Sequence, residues 1–159
     1  MASICTAVDS VGKLEFGGKT RPRCLSFVDK YLDIITSVGF GGAIRAQPGG
    51  TLNVLDPIDH AKTKNITEVV YDILRCSLIH EADLPFNVQF TSDAFYGVRN
   101  GVFLVPPTFF YAMLFAVVAS PKMNGKLVID SVQINWRGKP FPINQLMGDT
   151  AAVRIYLGL

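Results

Sequence analysis

The stretch Val102-Phe-Leu-Val-Pro-Pro-Thr-Phe-Phe-Tyr-Ala-Met-Leu-Phe-Ala-Val-Val-Ala-Ser120 contains no charged residue, and its reading decides the fold. A membrane-spanning helix needs roughly 20 apolar residues without a break. Pro106 and Pro107 interrupt this run near its start, and Pro121 closes it. Thr108 to Ser120 is therefore too short to cross a bilayer as a helix. The segment reads as buried, either strand or core, with a peripheral membrane contact as the lesser alternative. As a strand, Phe109 to Ala119 belongs at the centre of a sheet, or its outer face must be covered.

Around it lie further strand patterns. Phe86, Val88 and Phe90 alternate with polar residues. Val98 to Val105 is a second strand candidate with a turn at Asn100-Gly101. Leu127 to Trp136 and Ala151 to Leu157 complete the set. Met123-Asn124-Gly125-Lys126 sits between apolar runs, which is the short signature of a hairpin with a type I′ turn. Pro140 and Pro142 break the chain, and Ile143 to Met147 suits one helical turn.

Two helices are expected to pack on these strands. In Ser26 to Val38, the residues Phe27, Tyr31, Ile34, Ile35 and Val38 share one helical face. Ser26 is the candidate N-cap, and Gly39 the candidate left-handed residue at the C-terminus. Leu32, Ile34, Thr36, Val38 and Phe40 also alternate, so a strand competes here. In Ile66 to His80, Asn65 caps and Glu68 can bond back to the cap amide. Ile66, Val69, Val70, Ile73 and Leu74 form its apolar stripe, while Glu68, Asp72 and Arg75 face water. Gly39 to Lys64 is a long loop with a short strand at Leu52 to Leu55, and residues 1–24 read as a loosely ordered segment. The fold class is α+β in a single domain, residues 1–159: an antiparallel sheet of about five strands packed with two main helices.

Composition narrows the function. The chain has 159 residues, 49% hydrophobic and 18% charged, against about 25% charged in an ordinary soluble domain. Disorder is excluded. Either the core is thick, or apolar surface meets a partner. The net charge of +2 excludes a polycation. Lys13, Lys19, Arg21, Arg23 and Lys30 nonetheless crowd one segment, which is either a solvated loop or a contact for phosphate or an anionic membrane. The three cysteines, Cys5, Cys24 and Cys76, have no CxxC spacing. That argues against a disulfide scaffold or a zinc ribbon and for a reducing, cytoplasmic compartment. Met1 to Asp9 lacks signal-peptide character, so the sequon Asn65-Ile66-Thr67 is expected to stay unmodified.

Catalytic signatures are sparse. Cys76 and His80 share a helical face but need more ligands to form a centre, and a buried inert thiol explains Cys76 as well. Asp56-Pro57-Ile58-Asp59-His60 gathers two carboxylates and an imidazole, in a pattern that is also a common turn. The glycine runs match no phosphate loop. Phe95, Tyr96, Arg99 and Phe103 could stack on bases, or serve as core and rim. No catalytic residue, metal site or cofactor is assigned.

Apolar excess, a long loop, a basic segment and a small sheet suit a protein that assembles. In size, element order and composition, residues 25–159 resemble the small matrix proteins of negative-strand RNA viruses, particularly the plant rhabdovirus type. The resemblance implies a homo-oligomer that contacts nucleocapsid or RNA and the inner membrane face, within a virion. On that basis Lys13, Lys19, Arg21 and Arg23 would meet phosphate or lipid headgroups. Phe40, Pro48, Leu52, Val54, Leu55, Phe95, Tyr96 and Phe103 would form the seam between copies. The sequence departs from better-known members in lacking a Lys-rich arm and a PPxY motif, since Pro106-Pro107-Thr108-Phe109 has no tyrosine. A second expectation is an apolar-ligand or lipid-binding domain with a curved sheet lined by Phe109, Tyr111, Met113, Phe115 and Trp136. A third is a small cytosolic enzyme using Cys76, His80 or the Asp56 to His60 cluster.

Overall fold

The computed structural model describes residues 2–42, 44–56, 59, 61–79, 88–91, 97–128 and 134–159. Cys76 (as a side chain), His80, Phe95, Tyr96 and His60 lie outside what is described. In chain order the elements are α1 (Ala2–Phe16), α2 (Thr20–Lys30), α3 (Leu32–Gly39), β1 (Asn53–Leu55), β2 (Thr63–Asn65) and α4 (Ile66–Ile79). There follow β3 (Val88–Phe90), β4 (Gly97–Arg99), β5 (Val102–Val105), α5 (Thr108–Ala119), β6 (Ile134–Trp136), β7 (Lys139–Phe141), α6 (Ile143–Leu146) and α7 (Thr150–Leu157). The α+β content is as expected, but no five-stranded sheet forms among the described residues. Instead β1 pairs with β2 and β6 with β7, while β5 lies between β3 and β4. One pairing, β3 with β5, is parallel.

The decisive stretch begins as strand β5 and, from Thr108, is a helix. Phe109, Ala112, Met113, Phe115, Ala116, Val117, Val118 and Ala119 of α5 are all buried. A helix apolar on every side is a core helix, and it shows no 3.6-residue periodicity to distinguish it from a buried strand. Pro107 sits at its N-cap, where the missing N–H leaves nothing unsatisfied. Thr108 Oγ1 donates to the Gly39 carbonyl at 2.9 Å, tying the start of α5 to the end of α3. Gly39 serves this close approach and is not a left-handed cap. A Cβ there would lie 3.2 Å from Ala112 Cβ and 3.5 Å from Phe109 Cα.

The N-terminal segment is ordered, which corrects the expectation for residues 1–24. Cys5, Val8 and Val11 of α1 are buried, and positive φ at Gly17 and Gly18 turns the chain into α2. That helix begins at Thr20 and not at Ser26. Pro22 lies in its first turn, where a proline is tolerated and is no breaker. Phe27, Tyr31, Ile34, Ile35 and Val38 are buried as their helical spacing predicts. Tyr31, at φ −109° and ψ 21°, marks a kink between α2 and α3.

In α4, Asn65 Oδ1 accepts from the Thr67 amide at 2.9 Å, as the cap predicts. Glu68 instead accepts from Arg21 at 3.1 Å. The alternating Ala151 to Leu157 is helical. Asp149 Oδ1 caps α7 by accepting from the Ala152 amide at 2.9 Å, and Gly158 closes it in the left-handed conformation. The two Asn-Gly pairs diverge. Asn100 (φ 54°) and Gly101 (φ 74°) make the I′ turn between β4 and β5. Asn124 takes φ −56° and ψ 133° after a 3-10 turn, Pro121–Met123, so no I′ turn forms there. The β6–β7 turn is Arg137-Gly138, with φ of 52° and 77°. Of the expected strand Leu127 to Trp136, residues 134–136 are strand, and 129–133 lie outside the description.

Candidate functional site

A cleft opens where the C-terminal half of α3, the segment 44–48, the β6–β7 turn and the end of α7 meet. It consists of two adjoining cavities. One, of about 400 Å³, is lined by Asp33, Ser37, Arg45, Gln47, Pro48, Arg154 and Leu159. The other, of about 370 Å³, is walled by Val38, Gly42, Trp136, Arg137, Leu157 and Gly158. Ser37, Arg45 and Leu159 border both.

Local chemistry places each group. Thr36 Oγ1 donates to the Leu32 carbonyl at 2.7 Å and accepts from the Ala46 amide at 3.0 Å. That second bond holds the 44–47 segment against α3 and sets Arg45 and Gln47 beside Ser37. Arg154 reaches across from α7 to Asp33, with Nε donating to Oδ2 at 2.7 Å and Nη2 to Oδ1 at 3.1 Å. Hydrogen bonding to Asp33 raises the Arg154 pKa further, so this guanidinium is charged at every working pH. Arg45 Nη2 donates to the Gly158 carbonyl at 3.3 Å and is otherwise exposed. The Arg137 guanidinium lies 5.4 Å from the Trp136 ring centroid. Arg154 and Asp33 balance one another, and Arg45 and Arg137 are the other charged side chains that line the cleft.

Ser37 is the anomaly. Its residue is 7% exposed, and its Oγ is buried with no hydrogen-bond partner. Buried hydroxyls are nearly always paired, because desolvating one without a partner costs about 1–3 kcal/mol. Ser37 lines both cavities, and its hydroxyl is a donor with no acceptor among the described residues.

The residues singled out from sequence fare differently. Lys13 and Lys19 are exposed. Arg21 pairs with Glu68 and lies 5.7 Å from the Tyr71 ring. Arg23 is not a free surface cation: its side chain is 12% exposed and its guanidinium grips Asp9, with contacts of 2.7 to 3.0 Å. Phe40 (1% exposed) and Phe103 (0%) are core residues with no surface to offer a second copy. Leu52 and Val54 are half-buried, Leu55 is exposed, and Pro48 lines the cleft. Phe109, Met113 and Phe115 are buried in the core. Asp56 Oδ1 accepts from the Asp59 amide at 3.3 Å and Asp59 Oδ1 from the Ala61 amide at 3.2 Å, which is the turn reading of that cluster. Among the described residues, no group of three His, Cys, Asp or Glu side chains could hold a metal. No described helix is long and apolar enough to cross a membrane.

Sequence reasoning passed over Arg45, Arg137 and Arg154, which are scattered singly along the chain. A signal for Arg137 was present, since Arg-Gly before Lys-Pro is a turn dipeptide. For Ser37 and Arg154 there was none.

The model of one protein family, described as Rv1289, matches residues 1–158. The chain belongs to the Rv1289 family. The span matched to Rv1289 contains every cleft residue except Leu159. No curated protein and no solved structure matches the chain.

Proposed function

We propose that the protein is a non-enzymatic binding module that takes an oxyanion, a phosphate or a carboxylate, in the cleft beside Ser37. The orphan Ser37 hydroxyl carries this reading. Arg45 supplies charge next to it, and a guanidinium suits planar oxyanion groups. Arg154, already forked onto Asp33, frames the site and adds no free charge. Both cavities fall within the range of small-ligand sites.

Titration calorimetry with inorganic phosphate tests the reading. Saturable binding is expected, weakened about tenfold or more in Arg45→Ala and reduced by added salt. Absence of saturable heat with phosphate, sulfate and acetate at millimolar concentration would remove the reading, as would an Arg45→Ala protein that binds as well as the parent.

Self-association, with the matrix-protein resemblance behind it, stands as a second proposal. Leu55, Leu127 and Ile155 favour it, being 44%, 82% and 77% exposed. Light scattering that gives a monomer mass at all concentrations would end it.

A further inference from the structure

The oxyanion reading accounts for Ser37 and Arg45 but leaves Trp136 and Arg137 without a task. Trp136 packs against Tyr111, with centroids 5.9 Å apart, and against the edge-on ring of Phe115 at 5.4 Å. It is half-buried and lines the second cavity. Arg137 is exposed, and its guanidinium lies over the Trp136 ring at the cleft wall.

Arg137 is also a costly choice for its position. It is the first central residue of an I′ turn at φ 52°, where Asn, Asp or Gly is preferred. The equivalent place in the β4–β5 turn is held by Asn100 at φ 54°. A bulky residue with positive φ stores about 1 kcal/mol or more of strain, and such strain collects at functional sites. The hairpin alone would be better served by Asn. What Arg137 adds is a flat cation stacked near the only tryptophan of the chain, at the rim of the site.

From this we infer that the second cavity receives a planar ring belonging to the same ligand whose oxyanion sits at Ser37 and Arg45. The ligand class is a ring-bearing phosphate of nucleoside monophosphate type. Arg137, lying over Trp136, supplies the stacking surface, since a guanidinium plane accepts a heterocycle. The two cavities share Ser37, Arg45 and Leu159 as walls, so one molecule can occupy both. This inference rests on the oxyanion reading and adds the ring.

Trp136, the single tryptophan, lets fluorescence report on the ring subsite directly. The probes are inorganic phosphate, ribose 5-phosphate and AMP, each titrated into the parent chain and into Arg137→Asn, with calorimetry alongside. AMP is expected to quench Trp136 and to bind about five- to 100-fold more tightly than ribose 5-phosphate. Arg137→Asn should melt at a higher temperature and lose most of the advantage of AMP over ribose 5-phosphate, a ratio in which the loss of one positive charge cancels. Equal affinity for AMP and ribose 5-phosphate, with phosphate binding intact, would overturn the ring subsite and leave the oxyanion reading standing. Failure of all three probes would remove both. An Arg137→Asn protein that keeps the AMP advantage would overturn the role of Arg137. A single-stranded oligonucleotide binding more tightly than AMP would overturn the choice of a free nucleotide as occupant.

Discussion

Arg154 and Asp33, 121 positions apart, are joined by two hydrogen bonds, Nε to Oδ2 at 2.7 Å and Nη2 to Oδ1 at 3.1 Å. The pair fastens α7 to α3, and Asp33 is 10% exposed at its side chain against 32% for Arg154. Removing the guanidinium strands a nearly buried carboxylate.

Arg154→Ala is therefore expected to cost about 2–3 kcal/mol, below the full value for a wholly buried pair because Arg154 keeps some solvent. Asp33→Ala should cost less than the sum would suggest once Arg154 is already gone. A double-mutant cycle in urea should give a coupling of about 1 kcal/mol or more. Additive losses would show that the two hydrogen bonds contribute nothing together.

Ser37→Ala should act in opposite directions on stability and binding. Without ligand it removes a buried unpartnered hydroxyl, so the protein should gain about 1 kcal/mol, a rise of roughly 2–4 °C in Tm. Phosphate affinity should fall in the same variant. A lower Tm would mean that the hydroxyl has a partner in the folded protein.

Gly39→Val should force α3 away from α5. Even a methyl group at Gly39 comes within 3.2 Å of Ala112 Cβ and 3.5 Å of the Phe109 ring, and overpacking of this kind costs about 1–3 kcal/mol. Adding Ala112→Gly should recover part of the loss, as measured by chemical denaturation. No recovery would place the strain elsewhere.

Cys5 and Cys24 should resist alkylation in the native state. Burial is the first cause that pushes both thiols from 9.0 up to about 11, and the nearby Asp9 carboxylate adds to the rise at Cys24. The thiolate is the reactive form, so mass-mapped iodoacetamide labelling at pH 8 should leave both unmodified until the chain unfolds. The same shifts set a pH dependence. Between about 9 and 11 the unfolded chain loses these protons while the folded one keeps them, so stability is full below pH 9 and falls as pH rises. A Cys5→Ala, Cys24→Ala variant should show a shallower fall over that window. An unchanged slope would assign the loss to other groups.

Glu15→Ala should be among the more damaging single changes outside the cleft. Its carboxylate is 7% exposed and pairs with Lys30, and it accepts from Tyr31 Oη at 3.1 Å on both oxygens and from Ser120 Oγ at 2.7 Å. The buried Tyr31 and Ser120 hydroxyls would lose their acceptor, at a cost of about 2–4 kcal/mol. Tyr31→Phe, which removes one donor and leaves the carboxylate its others, should cost less in the same denaturation experiment. The reverse order would show that the carboxylate is not the hub.

Much of the local structure was legible. The helical face of Phe27, Tyr31, Ile34, Ile35 and Val38, the Asn65 cap and the Asn100-Gly101 turn depend on neighbours within a few residues, and periodicity and turn chemistry report such neighbours faithfully. The strand expectation for α5 failed because a segment apolar on every side leaves no polar stripe to reveal its period. That for α7 failed because alternation was weighed above the Asp149 cap and the Gly158 stop, both visible in the chain.

By itself, then, the sequence determined that the chain is α+β, that Phe27 to Val38 and the stretch from Ile66 carry helical apolar faces, and that a long uncharged segment must be buried. These follow from composition and short-range spacing. Only the tertiary structure decided which cations are engaged and which are available: Arg23 is held by Asp9 and Arg154 by Asp33, while Arg45 and Arg137 are left at the cleft. It also left Ser37 without a partner although its neighbour Thr36 is satisfied by Leu32 and Ala46. Charge pairing and hydrogen-bond satisfaction act over a few ångströms in space between residues as many as 121 positions apart in the chain, and a linear pattern carries no record of that distance.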